Sequence, residues 1–241
     1  MARSKGIVIE DDFKGYPVDS FCIANSLKHD IDHVLIPGGL VDDRIERLAC
    51  DIANDYSREP FSVLCVLKGG HQFFNSLLTK IRQYYRYSSF AAAANGKAKI
   101  ADEDECNHHI HEEFIRIKSY EDDASSGKVQ ILGIENLDSL RGKNVLIVED
   151  IIDTGKTMSQ LMQTLQDYEL KCCRVAALFL KRNPVNEFIP DYVGFEIPDK
   201  FIIGCSLDYN EYFRGLNHVC VISEHAKRKY STKTHKMNGV H

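Results

Sequence analysis

The chain has 241 residues, 44% hydrophobic and 27% charged, with a formal charge of −5. That length suits one large domain or two small ones, and a single domain over 1–241 with a substantial core is the simpler expectation. The acidic balance argues against a general nucleic-acid binder, and no apolar stretch is long enough to cross a bilayer. The N-terminus "MARSKGIVIEDDF" lacks the extended apolar middle of a secretory signal, which points to a cytoplasmic protein. Eight cysteines are scattered, some inside apolar runs such as "VLCVL", and form no CxxC pair. Reduced core thiols are the expectation.

In "VDDRIERLACDIANDY", Val41, Ile45, Leu48, Ile52 and Tyr56 recur every three or four residues, which predicts an amphipathic helix packed by one face. "FSVLCVL" follows as a continuous apolar run, the mark of a strand buried on both sides. "GGHQFFNSLLTKIRQYY" reads as a second helix. Residues 88–109, "SSFAAAANGKAKIADEDECNHH", carry neither period and read as a surface insertion. His108, His109, His111, Glu112 and Glu113 resemble ligands on paper, but adjacent residues of an extended chain point to opposite faces, so no metal is expected there.

Further along, "EFIRIKSY", "NVLIVE" and "RVAALFLK" read as strands, with "GKTMSQLMQTLQDY" a helix between the last two. Strands alternating with helices predict an α/β protein with a twisted parallel sheet flanked by helices. The tail "HAKRKYSTKTHKMNGVH", 225–241, is basic and without period, and reads as a solvated, frayed terminus.

The densest chemistry lies in "NVLIVEDIIDTGKTM", residues 144–158. Gly155-Lys156-Thr157 looks like the end of a triphosphate-binding loop, but that loop needs a glycine where Asp150 stands. A helix start with Gly155 and the hydroxyls of Thr154 and Thr157 suits a monophosphate, with Thr154 or Asp153 able to cap the helix. Carboxylates just ahead of it would repel a polyphosphate, yet they can accept from sugar hydroxyls or hold a bridging cation. A ligand with a phosphate beside a diol satisfies both halves, which describes ribose 5-phosphate.

This stretch resembles the phosphoribosyl-diphosphate motif of the type I purine phosphoribosyltransferases. "VLCVLKGG", "FIRIKSY", "VLIVEDIIDTGKTM", "VGFEIPDKF" and "LDYNEYFRGLNHVCVISE" also occur in the order and approximate spacing of the hypoxanthine-guanine members, covering the chain from residue 7 to about 230 apart from the insertion. The resemblance implies the type I phosphoribosyltransferase fold, with a core over about 38–190 and a small hood from 1–37 and 191–224. It implies purine salvage: transfer of the 5-phosphoribosyl group from phosphoribosyl diphosphate to hypoxanthine or guanine, giving IMP or GMP and pyrophosphate with Mg2+. A homodimer or homotetramer is implied as well.

By the same resemblance, Glu149 and Asp150 hold the ribose hydroxyls directly or through the metal, and Thr154, Gly155, Lys156 and Thr157 cradle the 5-phosphate. Asp153 sits beside N7 of the purine, where it can take a proton. Lys68, Gly69 and Arg214 contact pyrophosphate, and the family carries a non-proline cis bond at the position of Leu67 and Lys68. Asp208 belongs with the purine site and the metal, alongside Glu149 and Asp150. Lys181 donates to the 6-oxo group, Phe201 stacks on the ring, and the Ile202 backbone meets the far edge. Ser119 and Tyr120 open a mobile lid.

Each residue also has an ordinary reading. Asp153 can be a helix cap, Lys68-Gly69-Gly70 a plain strand-to-helix turn, Arg214 and Asp208 a surface ion pair, and Phe201 core packing. The sequence departs from the family's pattern at Gly38, Asn183, Cys205-Ser206 and the 88–109 insertion. A binding or regulatory relative that has lost chemistry is the competing class, and the intact Asp153 argues against it.

Overall fold

The computed structural model describes residues 5–57, 59–94, 109–119, 129–134, 136–186 and 188–231. Its main sheet has seven strands: β1 (Ile7–Val8), β3 (Phe61–Val66), β4 (Ile110–Ser119), β5 (Val129–Leu132), β6 (Asn144–Ile152), β7 (Cys172–Lys181) and β8 (Tyr192–Ile197). Their spatial order is β1-β8-β7-β6-β3-β4-β5, parallel throughout except for the antiparallel β4–β5 edge. A second sheet pairs β2 (Ile31–Ile36) with β10 (Val219–Ile222), and β10 with β9 (Ile202–Ile203), all antiparallel.

Every residue of β3 is buried, because the strand lies between β4 and β6 with helices on both faces. Helix α1 (Gly38–Tyr56) buries Val41, Ile45, Leu48, Ile52 and Tyr56 on the predicted face and ends at Ser57, which adopts a left-handed conformation. Helix α2 (His71–Ala94) packs beside α1, burying Phe74, Leu77, Leu78, Ile81 and Tyr85. The opposite face is covered by α3 (Lys156–Leu165), whose Met158, Leu161 and Leu165 pack with Leu64, Val145 and Ile147. Each such aliphatic side chain contributes about 1.5–3 kcal/mol by leaving water.

Three expectations are corrected. Residues 88–94 are not insertion but the last turns of α2. Alanine has the highest helix propensity and needs no apolar periodicity to continue a helix, and Ser89 is buried with its hydroxyl donating to the Tyr85 carbonyl at 2.9 Å. The remainder of the insertion, with Cys106 and His108, lies outside the described residues up to His109. His111, Glu112 and Glu113 sit on β4, and Glu112 pairs with Arg82 of α2.

The tail begins as helix α4 (Glu224–Lys229), not as a frayed end. Ser223 caps it by accepting from the Ala226 N–H at 3.1 Å, and fully buried Asp30 accepts from Lys229 Nζ and the Tyr230 hydroxyl, each at 2.9 Å. Residues 232–241 lie outside the described residues. Finally, β1 and β8 come from segments expected in the hood but pair in the main sheet, with Ile7 opposite Phe195. The smaller sheet is built from β2, β9 and β10, so it still draws on both chain ends.

Candidate active site

The strand order reverses between β3 and β6, and the crevice outside the carboxyl ends of strands at such a point is where open α/β sheets bind ligands. Lys68 follows β3, Glu149 and Asp150 lie near the end of β6 with Asp153 just beyond it, and Lys181 ends β7. Parallel pairing therefore delivers all three to one edge of the sheet. The segment that leads into β9 and on to β10 adds Phe201, Ile202, Asp208 and Arg214. Together Lys68, Gly69, Asp150, Asp153, Lys181, Phe201, Ile202, Leu207, Asp208 and Arg214 line a cleft of about 410 Å³. Beside it, Glu149, Asp153, Thr154, Gly155 and Thr157 line a pocket of about 190 Å³ at the start of α3. Asp153 stands on the wall of both.

The loop into α3 differs from expectation in its cap. Gly155, at φ 73°, is the N-cap, and neither Thr154 nor Asp153 supplies a capping side-chain bond. A side chain at Gly155 would strike Asn186 and Phe188, so this tight left-handed turn requires glycine. The first-turn amides of α3 thus open toward the smaller pocket without a side-chain cap, in the arrangement that attracts an anion. The Lys156 side chain is exposed and lines neither cavity.

The Asp153 carboxylate is held elsewhere. Lys181 Nζ donates to its Oδ2 at 3.2 Å, and Asn183 Nδ2 to its Oδ1 at 3.1 Å. Lys181 is 10% exposed and also reaches Asp199 Oδ1 at 3.4 Å. Asp150 is buried, with Oδ1 accepting from the Ile151 N–H at 2.7 Å. Its other oxygen lies where a Gly69 Cβ would be, so Gly69 is what lets this carboxylate approach the backbone after β3. The Leu67–Lys68 peptide is cis, as the resemblance implies. Burial, then the neighbouring Asp150 charge, hold the Glu149 carboxyl well above the usual glutamate range.

Arg214 pairs with Asp208 at 2.8 Å and donates to the Ser206 carbonyl at 2.8 Å. The ion pair of the ordinary reading exists, but in the cleft wall. Phe201 is 43% exposed and meets Tyr209 edge-on, with centroids 5.3 Å apart, so the core-packing reading fails. Ser119 ends β4 opposite Val129 of β5, while Tyr120 lies outside the described residues.

Sequence reasoning missed three groups. Asn183 stands in the sequence as a departure without a role, and Asn186 belongs to no motif. Glu211 gave no signal: it reaches Lys68 at 3.1 Å and Arg214 at 3.4 Å, on a turn where Asn210, Glu211 and Phe213 all have positive φ. Its carboxyl is lowered, first by the hydrogen bond from Lys68.

A half-exposed carboxylate on the shared wall of a helix-start pocket and an aromatic-walled cleft, at the switch point of a parallel sheet, marks a ligand-binding site of the α/β class. The family model for the phosphoribosyl transferase domain matches residues 38–210, and the chain belongs to this family, with the type I phosphoribosyltransferase fold. It is 48% identical over 229 residues to the hypoxanthine-guanine phosphoribosyltransferase of Homo sapiens, covering 95% of this chain and 98% of that protein. The Mus musculus protein of the same name is likewise 48% identical over 229 residues, with the same coverage. Among solved structures, the hypoxanthine-guanine phosphoribosyltransferase of Schistosoma mansoni in complex with IMP superposes with a TM-score of 0.72 at 34% identity, covering 95% of this chain and 100% of that one.

Proposed function

We propose that the chain is a purine salvage enzyme carrying the 5-phosphoribosyl group of phosphoribosyl diphosphate to hypoxanthine or guanine, with IMP or GMP and pyrophosphate as products. The observation that carries this reading is the position of Asp153 on the shared wall of a base-sized cleft and a helix-start pocket. Glu149 and Asp150 hold the ribose hydroxyls, and the amides of Gly155, Lys156 and Thr157, with the Thr154 and Thr157 hydroxyls, receive the 5-phosphate. Phe201 stacks on the purine, Lys181 donates to its 6-oxo group, and the Ile202 backbone and Asp208 border the same site. Lys68, Gly69 and Arg214 receive pyrophosphate.

The purine N9 lone pair closes on the sugar C1 as the bond from C1 to the diphosphate oxygen breaks, its electron pair leaving with pyrophosphate. The proton on N7 passes to Asp153. Nearby carboxylates stabilise the positive charge that gathers on the sugar.

The donor set fits Mg2+. Glu149 and Asp150 are adjacent carboxylates, Asp208 lines the same cleft as Asp150, and no group of three ligating side chains converges among the described residues. That suits a cation completed by substrate phosphates and water. When bound it neutralises the charge of the departing pyrophosphate. Ser119 and Tyr120 belong to a lid that excludes water from the sugar cation. The reading includes a single domain with a core and a hood, a homodimer or homotetramer, and a cytoplasmic location; among the described residues no helix is long and apolar enough to cross a membrane.

The test is to mix purified protein, phosphoribosyl diphosphate and Mg2+ with each purine separately and measure nucleotide formed. An ammonium has donors only, so hypoxanthine and guanine should react and adenine should not. Product with adenine alone would overturn the role of Lys181 and the substrate class.

A further inference from the structure

The two oxygens of Asp153 have different partners, and the partners differ in mobility. Lys181 holds Oδ2 from a flexible stem and is already shared with Asp199. Asn183 holds Oδ1 from a locked turn. An amide can be turned end for end, so the identity of the facing atom needs independent support. Asn183 Oδ1 accepts from the Val185 N–H at 3.1 Å, which commits the carbonyl end to the turn and leaves the NH2 for the carboxylate. The backbone is tied as well: the Asn183 N–H donates to the Lys181 carbonyl and the Asn186 N–H to the Asn183 carbonyl, each at 2.9 Å. The same turn leans on the phosphate loop through the contact of Asn186 and Phe188 with Gly155.

We propose that Asn183 is a positioning residue for the reaction: its amide grips Oδ1 of Asp153 so that Oδ2 is presented to N7 when the purine draws Lys181 to the 6-oxo group. The inference rests on the reaction proposed above. A carboxylate turns easily about its last torsion, which has broad minima. Once Lys181 moves to the base, Asn183 is the side-chain donor that keeps Asp153 from rotating. Alignment of the base matters because proton transfer must accompany bond formation.

Asn183→Asp separates this role from a turn role. The substituted carboxylate still accepts the Val185 N–H, but it offers Asp153 an acceptor and a like charge in place of a donor. Initial rates with hypoxanthine and guanine are measured for wild type, Asn183→Asp, Asn183→Ala, Asp153→Asn and the Asn183→Ala/Asp153→Asn double variant, with thermal unfolding of each. We expect Asn183→Asp to lower kcat by about 10-fold or more, a part of the roughly 10²- to 10⁴-fold that a general base contributes. KM for phosphoribosyl diphosphate should stay within about twofold of wild type, because the phosphate contacts are untouched. Asn183→Ala should slow wild type but add nothing in the Asp153→Asn background, where no base remains to be aimed. Wild-type kcat in Asn183→Asp, or equal losses from Asn183→Ala in both backgrounds, would overturn the inference while leaving the reaction intact. A wild-type chain inactive with both bases would overturn the reaction and the inference together.

Discussion

Asp153 is half exposed, yet both of its oxygens are engaged, which is unusual for a surface carboxylate and marks it as prearranged. In the proposed reaction it takes the N7 proton, so Asp153→Asn should slow turnover by roughly 10²-fold or more while nucleotide affinity is retained. Single-turnover rates and titration with GMP check this, and undiminished turnover would remove Asp153 from the chemistry. Glu149 supplies a second test. Its folded pKa is raised by burial and by Asp150, so the folded chain binds this proton more tightly than the unfolded chain does. The associated stability is present below the ordinary glutamate range and is lost as pH rises through the raised value. Glu149→Gln, permanently neutral, should therefore melt at a higher temperature than wild type without metal or substrate. The gap should widen as pH rises and close on acidification in thermal scans across pH.

The turn carrying Asp208 to Arg214 is wound so that Glu211 crosses the cleft mouth to Lys68. Three non-glycine residues with positive φ lie within it, and the turn is held by the Glu211 N–H donating to Asp208 Oδ2 at 2.7 Å and Asn210 Nδ2 donating to the Tyr230 carbonyl at 2.8 Å. In the free protein one carboxylate thus occupies both cations assigned to pyrophosphate. The contact is exposed and correspondingly weak. Glu211→Gln should lower KM for phosphoribosyl diphosphate by about 2- to 5-fold, with the difference shrinking as salt is added. A raised KM would mean that Glu211 helps to hold the ligand. The αL turn at Gly155 is likewise fixed by its surroundings, with Asn186 and Phe188 packed against it.

The sheet converts separate strand ends into one site, and its core must hold that registry. Leu146 is fully buried in central β6, between β3 and β7. Leu146→Ala should destabilise the fold by about 2–5 kcal/mol, a large part of the 5–15 typical of a domain. Urea unfolding should show a lowered midpoint, with turnover per folded molecule unchanged, because Leu146 touches neither cavity. The smaller sheet depends similarly on Asp30, which ties α4 back to the start of β2.

Much of this was legible in the chain alone. Residues 144–158 carry strand, acid pair, glycine and helix start contiguously, and a local stretch reveals local geometry through periodicity and turn chemistry. The buried face of α1 was readable for the same reason, as was the fully buried character of β3. The extension of α2 through an alanine run was missed because that helix end has no apolar period, and the six residues of α4 were missed because their order comes from a cap and from Asp30 far away in sequence.

What the sequence by itself determined is which short segments carry clustered carboxylates, cations and a glycine-led helix start, since those properties need only neighbouring residues. Which of them meet was decided by tertiary structure. Lys181 and Asn183 reach Asp153 from 28 and 30 positions away, and Glu211 reaches Lys68 across 143. Such distances follow from strand order, register and the docking of the smaller sheet, which are settled by the burial of the whole core and leave no local trace at the residues they bring together.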